Sequence, residues 1–373
     1  MATIDEHRAS PHIAIDRYEN DCIVQLGRSL EDRTAIYLDT KFWILLRDAL
    51  IGGRQDTSAC ELLDLLHHQV GLGRIFCPIS ESIFLELMKQ SDERSRVRMA
   101  KLIDDLSLGV ALIPYDRRIA TEIAHFFHSF HGRGDALHPL SHLVFSKLAY
   151  VLGVTHPLPE QFDAATVLAL QKAFLDRMWT MSLVEMVEII GSNAFPAEEL
   201  DNTEWANVIN EGNAEHAHEI RSFEQAWDAE LRGVVDFCGD IIMNVVGSMA
   251  ENKGISAPTK GSPEYLRTKP KFQNVVYLGL KKRQEVRKQL RSFYIESCLH
   301  AAFRWDKKRL FKPNDMHDFH HACAALGYCS AFFTEHALQT VVSSSHLDLK
   351  KLFHCRVISD VAEALAYVRG LKG

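Results

Sequence analysis

The chain has 373 residues, 47% hydrophobic and 24% charged: enough length and apolar content for one large domain or two ordinary ones, which excludes disordered and fibrous classes. Forty-two Lys and Arg against 49 Asp and Glu leave a net charge of −7, which does not suggest a surface coated for nucleic acid. No apolar run approaches the roughly 18 residues needed to cross a bilayer. The opening Met1-Ala2-Thr3-Ile4-Asp5-Glu6-His7 lacks the basic and apolar parts of a signal peptide, so a soluble cytoplasmic protein with no membrane partner is expected.

In chain order, residues 1–33 read as an N-terminal extension. Three short apolar runs follow, Ala35 to Leu38, Arg74 to Ile79 and Gly109 to Ile113, whose β-branched content predicts buried strands. Leu62, Leu63, Leu65 and Leu66, and then Ile83, Phe84, Leu87 and Met88, recur with helical spacing on either side of the second run. Strands alternating with helices predict a parallel sheet.

From about Ile119 to Arg304 the periodicity is helical, notably over Ala164 to Ile190 and Ala214 to Met249, with no convincing strand and a long loop expected over Asn252 to Pro270. Strand patterns return at Tyr328 to Phe333 and His354 to Ile358, and a helix is expected over Asp360 to Val368. The α/β class follows: a parallel-sheet core over 34–118 and 313–373, interrupted by a helical insertion over 119–312. The eight scattered cysteines form no Cys-x-x-Cys pair, which argues against a disulfide framework and a structural zinc site and predicts free thiols.

Charge is unevenly spread. Lys253 to Lys312 holds 16 Lys and Arg against Glu264, Glu285, Glu296 and Asp306, a local excess of +12. Within this 253–312 segment Lys281, Lys282, Arg283, Arg287, Lys288 and Arg291 are spaced to line one side of a helix, with aromatic residues interleaved. A phosphate-binding surface and a solvated face balancing acidic neighbours both fit that pattern.

Ligands of parallel sheets collect at the carboxyl ends of the strands. Asp39 closes the first predicted strand, Glu86 follows the second, and Asp315 and Asp318 open the helix before Tyr328 to Phe333. Carboxylates gathered there suit a hard divalent cation, Mg²⁺ or Mn²⁺. Such an ion activates water and steadies the charge that builds on a phosphate. Taken singly, Asp315 also reads as a helix cap and Glu86 as a surface glutamate.

These residues resemble the PIN-like nuclease family. Tyr37-Leu38-Asp39-Thr40 is similar to the family's opening strand and aspartate, Ser80 to Glu86 to its second acid six residues past a serine, and Asp318 to Thr334 to its third acid and the threonine sixteen residues on. The resemblance covers about half the chain. At the usual fourth acid position it has His336, preceded by Glu335; Glu335 substitutes, Asp315 supplies an extra carboxylate, or the ion is held more weakly.

The resemblance implies an α/β/α sandwich of Rossmann-like topology and cleavage of a phosphodiester by metal-activated water. Asp39, Glu86, Asp315 and Asp318 are the implied catalytic acids and metal ligands, with Glu335 last. Thr40 or Thr334 would orient a ligand or water, or simply cap a strand end. RNA is favoured over DNA as partner, and related folds often form homodimers.

Other constellations carry less. His125, His128 and His131 step around a helix with neither glutamate nor cysteine to complete a zinc site. Arg133 and His138 match an Arg-x4-His ribonuclease pattern, but Gly132 and Gly134 disfavour the helix it needs. P-loop, dinucleotide-binding and Gly-x-Ser-x-Gly signatures are missing. The expectation is therefore a metal-dependent nuclease, acting in RNA processing, as a toxin or in defence. Its rivals are a degenerate core serving as a binding platform and a DNase.

Overall fold

The computed structural model describes residues 4–51, 57–130, 137–191, 202–347 and 349–371. It is mostly helical, 68%, with a small four-stranded parallel sheet. The strands are β1 (Thr34–Leu38), β2 (Ile75–Phe76), β3 (Val110–Leu112), β4 (Phe145–Lys147), β5 (Ala331–Phe333) and β6 (Arg356–Ile358). The sheet order is β2–β1–β5–β6, while β3 and β4 form a separate antiparallel pair. Chain contacts divide the protein into two compact units. The first comprises Met1–Pro114, Ser141–Glu199 and Ile358–Gly373, and the second Tyr115–Leu140 and Leu200–Val357.

In the first unit Thr34 pairs with Ile75 and Ala35 with Phe76 in parallel. The four C-terminal residues of β1 are buried, as an apolar run in a parallel strand requires. Trp43 and Phe42, on the helix Thr40–Ile51, lie fully in the core with Leu62 and Leu66 of the helix Thr57–Gly71. The N-terminal 33 residues are built into this unit. Helix Ile15–Ser29 packs on Ala164–Trp179, where Tyr18 and His7 both bond Asp176 (2.7 and 2.9 Å) and Lys172 reaches the Ser10 carbonyl.

Two departures from the sequence pattern concern strands. β4 lies inside the stretch read as purely helical. At three residues it is too short for a period-two signal and forms because β3 offers it an edge: Val110, Ala111 and Leu112 pair with Lys147, Ser146 and Phe145. The run 109–113 is correspondingly a partner of β4, touching the second run only through a bridge from Ile79 to Ala111.

The second unit is helical around a buried helix, Arg291–Trp305, which packs against Phe223–Phe237 on one side and Asp315–Tyr328 on another. β5 and β6 approach where the Arg356 amide donates to the Ser330 carbonyl (2.9 Å). The loop expected over Asn252 to Pro270 is shorter: a helix starts at Pro263 with a Ser262 cap and runs through Pro270 to Lys282. Proline at N1 is compatible with helix initiation; for Pro270, packing on the neighbouring helix Gly239–Glu251 outweighs local propensity.

All eight cysteines are free thiols. Among the described residues no single helix is long and apolar enough to cross a membrane; Phe223–Phe237 and Gly239–Glu251 reach that length only across a 53° bend.

Candidate functional site

Asp39 follows the last residue of β1 and is 5% exposed. Its carboxylate accepts the Phe42 amide (3.1 Å) and its carbonyl accepts the Trp43 amide (3.1 Å), so it caps the helix Thr40–Ile51. The next residue, Thr40, donates its hydroxyl to the Glu86 carboxylate. The carboxylates of Asp39 and Glu86 are therefore borne by segments joined through Thr40, at the C-terminal end of β1. Thr40 thus orients an acid; it does not cap a strand.

Glu86 owes its place to the helix Glu81–Met88, whose Ile83, Phe84 and Leu87 are buried. Ser80 precedes that helix, yet its hydroxyl is taken by the Tyr37 hydroxyl (2.6 Å, buried). That bond ties β1 to the start of the Glu86 helix, and Tyr37 is a positioning residue that the sequence pattern did not single out.

In the second unit, Asp315 opens the helix Asp315–Tyr328 and is 6% exposed. Its carboxylate accepts the Lys312 amide (2.6 Å) and faces Arg309 at 3.7 Å, the geometry of a local turn and cap. Asp318 lies one turn on. Thr334 is fully buried with its hydroxyl unpartnered, and Glu335 and His336 are exposed at the start of the helix His336–Val342.

Among the described residues no group of three or more His, Cys, Asp and Glu side chains is arranged to hold a metal ion. Mg²⁺ is ordinarily bound through one or two carboxylates, with waters and substrate phosphates completing the shell, so Asp39 and Glu86 are the residues at this end of β1 that could hold one.

The basic segment is largely spent inside its own unit. Lys281 pairs with Asp228 and the Tyr277 hydroxyl, Lys260 and Lys269 with Asp240, and Arg304 with Glu230 (2.7 Å). Arg287 donates to the Leu280 and Lys281 carbonyls and lies over the rings of Trp227 and Tyr294. Arg291 donates to the Gly327 carbonyl and Lys288 pairs with Glu285 (3.5 Å). Of the six basic residues singled out by spacing, Lys282 and Arg283 are the exposed ones. Acids on the helices Phe223–Phe237 and Gly239–Glu251 thus balance part of the local excess, at sequence separations too long for the pattern to reveal.

Within the histidine series His125 bonds the His138 backbone and lies near His128. His125 is held below the usual imidazole range by burial, His142 bonds Glu31, and His131 and Arg133 lie outside the described residues. Titratable groups with larger shifts occur elsewhere in the second unit. Burial raises Glu122 to about 7 although Ser292 and Tyr328 donate to it, and raises Glu296 to about 8.

No protein-family model matches the chain, and no curated protein and no solved structure is significantly similar to it.

Proposed function

We propose that the protein is a divalent-metal-dependent nuclease of PIN-like type, cutting single-stranded RNA in preference to DNA. The observation that carries this reading is the Thr40 hydroxyl on the Glu86 carboxylate, next to the buried Asp39 at the end of a parallel strand. A Mg²⁺ or Mn²⁺ ion held there by Asp39 and Glu86 would activate a water for attack on phosphorus. The Phe42 amide and the Thr40 hydroxyl fix the two carboxylates in advance, so the chain does not reorganise at the moment of reaction. Asp315 and Asp318, in the second unit, are the further acids of the sequence resemblance, and exposed Lys282 and Arg283 are the substrate contacts the sequence reading retains.

The test is cleavage of labelled single-stranded RNA and DNA by the purified chain with Mn²⁺, Mg²⁺ or EDTA, beside Asp39→Asn and Asp318→Asn. Cleavage that needs metal, prefers RNA and is lost in Asp39→Asn is expected. Loss in Asp318→Asn as well extends the ligand set beyond the Thr40 pair. Equal cleavage by Asp39→Asn sinks the reading.

A binding platform is the second reading, favoured because Lys281, Arg287 and Arg291 are engaged within the protein. It requires that no substrate is cut and that Mn²⁺ leaves the melting temperature unchanged, since an ion bound only by the folded state must raise it.

A further inference from the structure

A cleft of about 550 Å³ opens within the second unit, in the range of small-molecule sites. Its walls come from the helices Thr203–Glu215, Phe223–Phe237, Arg291–Trp305 and Asp315–Tyr328. Trp205 and Phe237 line it and are 59% and 74% exposed. Two large, largely exposed rings on two helices of one cleft give it an apolar lining.

Among the residues that line the cleft, buried atoms without a hydrogen-bond partner include Glu296 Oε2 and Arg304 Nε. Glu230 and Arg304 pair with each other at 2.7 Å. His320 stacks on Tyr115 with ring centres 4.9 Å apart, and burial keeps it and His300 uncharged, His320 down at about 3. Glu296, 8% exposed, also lines the cleft, and its Oε2 is buried with no hydrogen-bond partner. A buried polar atom left so is destabilising, and a donor arriving through the cleft would satisfy it.

Gly212 and Gly233 line the cleft from helix interiors, and a Cβ at either would meet nothing within 4 Å, so a large side chain placed there has space to enter it.

We propose that this cleft is a binding site for a small aromatic amine, with its ammonium group on the Glu296 carboxylate and its ring among Tyr115, Trp205 and Phe237. An ammonium supplies the donors and the positive charge that Glu296 lacks, and aromatic walls favour both a flat ring and a nearby cation. A neutral donor would bond the carboxyl without charge assistance, and an anion would gain nothing from it. The inference is independent of the nuclease reading.

The probes are tryptamine, its neutral isostere tryptophol and the acid indole-3-propionate, titrated calorimetrically into the full chain. Tryptamine should bind at least about tenfold tighter than tryptophol, with no heat from the acid. Glu296→Gln, which keeps shape and hydrogen-bonding atoms, should bring tryptamine down to the tryptophol level. Gly233→Leu, which fills open space and improves the helix, should abolish binding of both while circular dichroism stays unchanged. The proposal is overturned if tryptamine gives no binding at about 1 mM, if tryptophol matches it, or if either variant binds tryptamine as the parent does.

Discussion

The two units each hold conspicuous carboxyl groups, and they treat them in opposite ways. At the end of β1 the acids have partners supplied by their own unit: Asp39 takes the Phe42 amide and Glu86 the Thr40 hydroxyl. In the second unit Glu296 is buried beside an open cleft with Oε2 unpartnered. An acid with hydrogen-bond donors supplied by its own unit is held in orientation, as a metal ligand needs. One stripped of water and partners is kept neutral until something cationic reaches it.

The largest effect that separates the two is expected at Asp39. Asparagine caps a helix as well as aspartate, so Asp39→Asn should retain the helix Thr40–Ile51 and lose metal-dependent cleavage by about a hundredfold or more. Thr40→Val should lower Mn²⁺ affinity by about 10–100-fold, because the hydroxyl only orients Glu86. Metal titrations followed by melting temperature check both. If Thr40→Val outdoes Asp39→Asn, the hydroxyl itself is the reacting or ligating group.

Next in size is a pH effect confined to the second unit. Burial holds the Glu296 carboxyl at about 8, against about 4.3 in an unfolded chain. Between those values the folded state binds a proton that the unfolded state does not, so this group's contribution to stability is complete below about pH 4.3 and is lost as pH rises through 8. Glu296→Gln cannot ionise. Its melting temperature should equal the parent's near pH 5 and exceed it by about 5 °C near pH 9. Glu122 titrates in the same sense but is common to both proteins, so the difference isolates Glu296. A constant offset across that range would mean that water reaches the carboxyl.

The contrast also shows what a sequence pattern can hold. β1 was legible because Ala35 to Leu38 is a continuous apolar run with an acid at its end, whereas the Thr40 bond to Glu86 joins two distant segments and was not read. β4 was not, since three residues gain their strand character only from pairing with β3. The cleft was invisible for another reason. Glu296 stands in a basic run and reads as one acid among cations, whereas the walls around it come from segments distant in the chain, among them Tyr115, Trp205 and Phe237. Likewise Lys281 looked like a phosphate contact until Asp228, on another helix, took its charge.

That reassignment makes the third prediction. If nucleic acid is held by the basic segment, Lys282→Ala with Arg283→Ala should weaken RNA binding and reduce the salt dependence of log K by about 0.7 per lost phosphate contact. Lys281→Ala should leave the slope unchanged and cost at most about 1 kcal/mol of stability, because its partner is internal and partly exposed. Filter binding across a salt series tells them apart. An equal loss from Lys281→Ala would show that its pairing with Asp228 opens on binding.

The smallest effect comes from comparing one glycine in each unit. Gly27, inside the helix Ile15–Ser29, has the His142 backbone 2.4 Å from where a Cβ would stand. Rigid backbone cannot yield as a flexible side chain can, so Gly27→Ala should destabilise the first unit by about 1–3 kcal/mol. Gly233 meets nothing within 4 Å and sits in the helix Phe223–Phe237. Gly233→Ala should therefore stabilise its helix by about 0.4–1 kcal/mol through the reduced freedom of the unfolded chain. A methyl group occupies little of about 550 Å³, so the same variant should still bind tryptamine, more weakly than the parent if the ring passes close to this helix. Unfolding in urea of Gly27→Ala and Gly233→Ala, read against the parent, should give shifts of opposite sign. Shifts of the same sign would mean that glycine at 233 is held by the helix itself and not by the space beside it.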